Sequence, residues 1–216
     1  MSLSGKDFMI LYSLQDKFLN WWAGLQYPFY LTGGTALGRF YLNHRYSEDL
    51  DFFVNNDSNY LFYIREIMKK VAGIFKVDMT NSLFTDDFSR FFITENEVRL
   101  KIELVNDNEY YAGSKARYRY GYIDTPLNIL SNKLVAITGR DEPKDVYDIC
   151  SISENYSFRW TEIFHHARQK AVINELDVEE RLVTFPVEWI QEVTWLNNKP
   201  ETEQFRKKIK QIADDF

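Results

Sequence analysis

The sequence predicts an α/β (α+β) fold, a mixed β-sheet flanked by helices, followed by a helical C-terminal part. Three observations carry this. Short apolar runs with strand-like alternation recur between residues 29 and 105. Helical spacing of apolar residues is interleaved with them. After Thr125-Pro126 the strand signals stop and only helical spacing remains. The division expected is an α/β unit over residues 1–125 and a helical region over 126–216 packed on it. At 45% hydrophobic and 17% aromatic, 216 residues can build a sizeable core.

The elements follow in order. Lys6 to Leu25 carries Phe8, Leu11, Tyr12, Leu14, Phe18 and Trp22 at helical spacing. Tyr27 to Leu31 leads into a short strand, Thr32-Gly33-Gly34 is a turn, and Thr35 to Leu42 reads as a helix opening from it. Leu50 to Val54 is a strand closed by Asn55-Asn56-Asp57-Ser58, and Tyr60 to Ala72 a second amphipathic helix. Ile74 to Met79, Phe88 to Thr94 and Val98 to Val105 read as strands, the last two joined as a hairpin by Glu95-Asn96-Glu97. Lys115 to Tyr122 alternates, with Lys115, Arg117 and Arg119 on one face, and is expected as one more strand. Leu127 to Thr138, Pro143 to Ile152, Trp160 to Lys170 and Glu201 to Asp214 show helical spacing.

The bulk numbers exclude several classes. No run approaches the roughly 20 apolar residues of a membrane span. The N-terminus Met1-Ser2-Leu3-Ser4-Gly5-Lys6-Asp7 lacks the charged-then-apolar pattern of a secretion signal. The single cysteine, Cys150, precludes an internal disulfide framework. The expected location is therefore the cytoplasm. A net charge of -6 argues against nonspecific nucleic-acid binding. A nucleic-acid substrate held at one local basic patch is compatible with it. Lys115, Arg117 and Arg119, backed by tyrosines, are the best candidate for that patch, with a charged edge strand as the alternative.

The chemistry concentrates in Gly33-Gly34-Thr35 and Asp49-Leu50-Asp51. A glycine pair opening a helix offers free backbone N–H groups to an anion, and Thr35 can donate its hydroxyl or cap the helix. Asp49 and Asp51 point the same way off a strand while Leu50 and Phe52 point into the core. Glu103, flanked by Ile102 and Leu104, offers a third carboxylate from a neighbouring strand. Oxygen-only donors of this kind suit Mg²⁺. A metal-bound triphosphate beside an acceptor hydroxyl is the arrangement of nucleotidyl transfer. An isolated Asp-x-Asp is more often a turn or strand end, so the weight rests on the combination. Ser47 is expected to fix the loop through its hydroxyl and is grouped with the nucleotide-binding residues. His44 is expected to shape that loop rather than act as a base, with Arg45 paired to an acidic site residue. His165-His166 lack partners at zinc-ligand spacing. Lys144, Asp145 and Asp148 have a plain reading as solvated helix charges.

Leu31-Thr32-Gly33-Gly34-Thr35-Ala36-Leu37 and His44-Arg45-Tyr46-Ser47-Glu48-Asp49-Leu50-Asp51-Phe52-Phe53 resemble the AbiEii/AbiGii toxin family of the DNA polymerase β-like nucleotidyltransferase superfamily. Lys133-Leu134-Val135-Ala136, Arg140 and Lys144-Asp145-Val146-Tyr147-Asp148-Ile149 resemble the family's last motif. The resemblance implies a nucleotidyltransferase fold, an NTP substrate and Mg²⁺ or Mn²⁺. It implies that Asp49, Asp51 and Glu103 hold metal and that Gly33, Gly34, Thr35 and Lys133 contact the triphosphate. Asp145 would sit at the site edge, as a base or as an organiser of Lys133. Two positions depart from the usual pattern: Glu103 stands where the family often has Asp, and Lys144 where it often has Arg. The resemblance further implies a toxin of a toxin–antitoxin or phage-defence system, with RNA, notably tRNA, as acceptor and a cognate antitoxin as partner. The alternatives are a non-catalytic nucleotide- or partner-binding module of the same fold, and a transferase acting on a protein or small-molecule hydroxyl.

Overall fold

The computed structural model describes residues 5–192, 196 and 199–216. Met1 to Ser4, part of the N-terminal stretch read above for a secretion signal, lies outside the described residues. The first helix, α1 (Gly5–Ala23), buries Phe8, Leu11, Leu14, Phe18, Leu19 and Trp22 along one face. The spacing of these residues by three and four positions explains why this segment folds as a helix against a sheet.

Seven strands form one mixed sheet: β1 (Tyr30–Thr32), β2 (Leu50–Asn55), β3 (Lys76–Phe84), β4 (Phe88–Glu95), β5 (Val98–Asp107), β6 (Ala116–Tyr118) and β7 (Gly121–Ile123), in the spatial order β3-β4-β5-β2-β1-β7-β6. β2 runs parallel to β5 and antiparallel to β1, and β1 runs parallel to β7. Alternation in β2 sends Leu50, Phe52 and Val54 into the core and leaves Asp51, Phe53 and Asn55 on the other face. On the core side Phe52 packs against Trp22, with ring centroids 4.2 Å apart. The Asn96-Glu97 turn joins β4 to β5 with φ of 48° and 66°, the left-handed pair of a two-residue hairpin.

Two segments differ from the periodicity. The helix expected over Thr35 to Leu42 is a single α-turn, α2 (Gly33–Thr35), continuing into a π-helical stretch, Ala36–Tyr41. The Leu42 N–H donates to the Leu37 carbonyl, five residues back, at 2.9 Å. Apolar spacing alone cannot separate this widened turn from an α-helix. The strand expected over Lys115 to Tyr122 is instead the hairpin β6–β7, with Arg119 in its turn. The positive charges consequently do not form one face. The Lys115 ammonium lies over the Tyr30 ring, the Arg117 guanidinium over Tyr122 and that of Arg119 over Tyr120.

Between β2 and β3 lies α3 (Tyr60–Val71). Beyond Ile123 the chain is helical: α4 (Pro126–Gly139), α5 (Pro143–Asn155), α6 (Trp160–Lys170), α7 (Glu175–Val183), α8 (Trp189–Glu192) and α9 (Thr202–Asp214). Thr125 caps α4 by accepting from the Asn128 N–H, and Pro126 and Pro143 occupy first-turn positions that need no donor. The short α7 has no counterpart in the sequence reading, because only Val178 and Leu182 of its nine residues are buried. Its local signal is the Asn174 cap, which accepts from the Asp177 N–H at 2.9 Å. Helix α4 packs on α5, α6 and α7. One continuous hydrophobic cluster runs from α1 through the sheet to α9. No helix among the described residues is long and apolar enough to cross a membrane.

Candidate active site

Gly33 lies at the end of β1 with φ of +66°, a conformation that disfavours any residue with a Cβ. A Cβ there would stand 2.7 Å from Asp51 Oδ2, and one on Gly34 would stand 2.4 Å from Arg45 Nη2 and 2.9 Å from Ser47 Oγ. The glycine pair is thus a matter of space: two charged side chains approach the backbone where a methyl group would sit. The turn is pinned from below, where Thr32 Oγ1 donates to the buried Asp124 at 2.5 Å. Thr35 departs from the sequence expectation. Its side chain is fully buried and its hydroxyl donates to the Asp49 carbonyl, so it holds the Asp49 backbone and forms no part of the cleft wall.

Strand register brings the carboxylates together. Asp51 pairs with Thr32 of β1 on one side and with Glu103 of β5 on the other, so these side chains share one sheet face. Asp49 immediately precedes β2. Burial, followed by the charges of Asp49 and Glu103, raises the pKa of Asp51 to about 7. Lys101, two residues before Glu103 on the same face, reaches into this group. Its Nζ lies 2.9 Å from Asp49 Oδ2 and 3.2 Å from Glu103 Oε1. Burial works against the Lys101 charge, but Asp49 and Glu103 hold its pKa above the usual lysine value. Arg90 Nη1 stands 3.9 Å from Glu103. Among the described residues no three His, Cys, Asp or Glu side chains are already drawn to the spacing of a metal-ligand set.

A second charged cluster lies beneath the helical half. Asp148 is fully buried and accepts from Arg45 Nε at 2.6 Å and Arg45 Nη2 at 2.7 Å, a bidentate pair. It also meets His44 Nε2 and Lys133 Nζ, each at 2.8 Å. Asp145, equally buried, accepts from Lys133 Nζ at 2.5 Å and Arg140 Nε at 2.7 Å. Burial opposes both carboxylate charges, yet Arg45 and Lys133 hold Asp148 well below the usual range, and Lys133 and Arg140 hold Asp145 below it. The reading of Asp145 and Asp148 as solvated helix charges is thereby corrected. The expected organisation of Lys133 by Asp145 and the expected acidic partner of Arg45 are both present as contacts. His44 is anchored on Asp148, in keeping with a loop-shaping role.

The two clusters border one open cleft of about 700 Å³. Its walls include Gly33, Gly34, Ser47, Asp49, Asp51, Glu103 and Lys133, with Phe53, Phe88 and Val105 as an apolar strip. Ser47 is held in the loop by its backbone, its N–H donating to Tyr12 Oη and its carbonyl accepting from Gln15. Lys101, Asn132 and Lys170 also line the cleft and carry no role in the sequence expectation. Lys101 is signalled by its i,i+2 relation to Glu103. Lys170, from the end of α6, donates to Asn128 and Asn132 at 2.6 and 2.5 Å. Burial lowers its pKa to about 8. Nothing local marks Lys170 or Asn132, because only the packing of α6 on α4 places them at the cleft.

Residues 20–216 match the family described as the nucleotidyl transferase AbiEii toxin of a type IV toxin–antitoxin system. The structure resembles that of JHP933 from Helicobacter pylori with a TM-score of 0.67 at 20% identity, covering 99% of this chain and 92% of that one. It also resembles MenT4, a nucleotidyltransferase toxin from Mycobacterium tuberculosis, with a TM-score of 0.55 at 14% identity, covering 97% and 85%. At these identities the likeness concerns the fold. No curated protein matches the chain.

Proposed function

The chain belongs to the AbiEii nucleotidyltransferase toxin family, and we propose that it transfers NMP from an NTP to an acceptor hydroxyl on RNA, with tRNA the favoured class, in a metal-dependent reaction. The observation that carries this reading is the convergence of Asp49, Asp51 and Glu103 with the Gly33-Gly34 turn and Lys133 on one cleft. The cleft volume of about 700 Å³ falls within the range of small-molecule sites, roughly 300–1,000 Å³.

The residues present fit a divalent cation. The donors are all carboxylate oxygens, burial and then the charges of Asp49 and Glu103 raise the pKa of Asp51, and a side-chain ammonium already lies between two of the carboxylates. Asp49, Asp51 and Glu103 would hold Mg²⁺ or Mn²⁺, which supplies Lewis-acid activation of the acceptor oxygen and charge neutralisation on the phosphates. The backbone N–H groups of the Gly33-Gly34 turn, which borders the cleft, would receive the triphosphate. Lys133 presents a fixed positive charge to the phosphates, oriented by Asp145 and Asp148. With both oxygens engaged by cations and its pKa lowered, Asp145 is a weak base and acts as a positioning residue. Phe53 and Phe88 offer an apolar surface to the base. In the reaction the acceptor hydroxyl loses its proton to solvent, its oxygen forms a bond to the α-phosphorus, the bond from that phosphorus to the α,β-bridging oxygen breaks, and pyrophosphate leaves.

The cytoplasm as location and a cognate antitoxin as partner are parts of the same reading. The experiment is incubation with Mg²⁺, each α-labelled NTP in turn and total bacterial tRNA, with the double variant Asp49→Ala/Asp51→Ala as control. Label on RNA that vanishes in the control is the expected result. Label on protein would move the acceptor to a side chain. NTP binding without transfer to either would favour a non-catalytic module.

A further inference from the structure

Lys101 is not accounted for by the transfer reaction, yet it has a central position in the acidic group. It stands on β5 two residues from Glu103, so the pleat puts both side chains on one face. Its ammonium spans two strands, bonding Asp49 at the entry of β2 and Glu103 on β5. A divalent ion at ordinary oxygen distances from the same two carboxylates, about 2.0–2.1 Å for Mg²⁺, would compete with the ammonium for those oxygens and repel its charge. The Lys101 side chain can yield: about 29% of it is exposed, and its flexible four-carbon stem can carry the charge to solvent.

We propose that the Lys101 ammonium is a built-in counter-ion of the metal-free site, filling the cation position between Asp49 and Glu103, and that a divalent cation binds by displacing it. The inference rests on the metal reading of the preceding subsection. Lys101 then sets the affinity of the metal: it keeps three carboxylates tolerable in the empty site and raises the cation concentration needed to load it. Arg90, the other cation near Glu103, is too long-ranged at 3.9 Å to fill the same position.

The test is Mn²⁺ binding to the full chain, followed by paramagnetic resonance or calorimetry without nucleotide. Lys101→Met keeps the length of the stem and removes the charge; it is expected to bind Mn²⁺ about threefold to fivefold more tightly than the parent, the scale of one partly exposed ion pair. Lys101→Arg, which keeps the charge, is expected to show no such gain. Equal or weaker binding by Lys101→Met, with the parent still binding Mn²⁺ and Asp51→Asn losing it, would leave the metal reading standing and overturn the displacement. Absence of Mn²⁺ binding in parent and variant alike would overturn the metal reading itself, and the displacement with it. Should Lys101→Met fail to fold, acylation of the parent's lysines read by mass spectrometry decides. Labelling of Lys101 that rises several-fold with saturating Mg²⁺ supports displacement, and labelling that does not change refutes it.

Discussion

At Asp148 a buried carboxylate meets Arg45, His44 and Lys133. At Asp51 a carboxylate on the cleft wall meets two more carboxylates, with Lys101 bridging only those neighbours. Similar residue types have been put to opposite uses. The first group is satisfied within the protein and fixes where Lys133 and Arg45 stand. The second is left short of positive charge, which suits a site that takes its cation from outside. Burial alone does not distinguish them, since burial opposes ionisation of both. The neighbours decide, holding the pKa of Asp148 well below the usual range and raising that of Asp51 to about 7.

Removing the central carboxylate breaks the satisfied group most severely. Asp148→Ala takes from the buried Arg45 its bidentate carboxylate partner and from the nearly as buried Lys133 one of its two carboxylates. A cost of about 3–5 kcal/mol is expected, the usual penalty for stranding a buried charge. Urea unfolding would measure it; a loss under 1 kcal/mol would mean that the pairs contribute little to the fold.

Acid titration separates the groups next. The depressed pKa values of Asp148 and Asp145 contribute stability above the ordinary value of 3.8, and that stability is lost as pH falls through their folded values. Asp51 has the opposite sign. Its raised value contributes stability below 3.8 that is lost as pH rises through about 7. Urea midpoints of the parent should therefore fall steeply below pH 4, and Asp148→Asn should flatten that acid limb. An unchanged acid limb in the variant would count against the assignment.

Gly34 is where the two groups touch. Its φ is unexceptional, so Gly34→Ala tests space alone: the new methyl would meet Arg45 Nη2 at 2.4 Å. A guanidinium is normally free to move aside, but both of its bonds to Asp148 would have to shift. The substitution is expected to cost about 1–3 kcal/mol, the range for overpacking a filled site. Thermal unfolding gives the number. In the Asp148→Asn background, where Arg45 is released, the added cost of Gly34→Ala should shrink; full additivity would show that the two sites are uncoupled.

How far the sequence discloses these two regions differs as well. Gly33, Gly34, Asp49, Asp51 and Glu103 were legible because strand alternation separates polar from core positions and because glycine pairs mark close approach. Their pairing across β1, β2 and β5 is a matter of register, which no single strand records. The burial of Asp148 was not legible. On α5 it has the spacing of an ordinary helix charge, and its partners Arg45 and His44 come from a loop about a hundred residues earlier. The π-helical stretch and the position of Lys170 likewise depend on tertiary packing that periodicity does not encode.

The smallest predicted effect has the sharpest sign. In metal-free buffer at pH 8, Asp51→Asn removes a charge that the fold holds against Asp49 and Glu103, and stability should rise by on the order of 1 kcal/mol, a figure discounted for solvent screening. At pH 4 the parent's Asp51 is already largely protonated, so the gain should nearly vanish. Asp148→Asn at pH 8 should move the other way. Equilibrium urea unfolding of both variants at the two pH values, with chelator present, resolves the contrast. A loss of stability in Asp51→Asn that is equal at both pH values would mean that Asp51 is held by neighbouring donors as Asp148 is, and the cleft would then have no deficit of positive charge for a cation to fill.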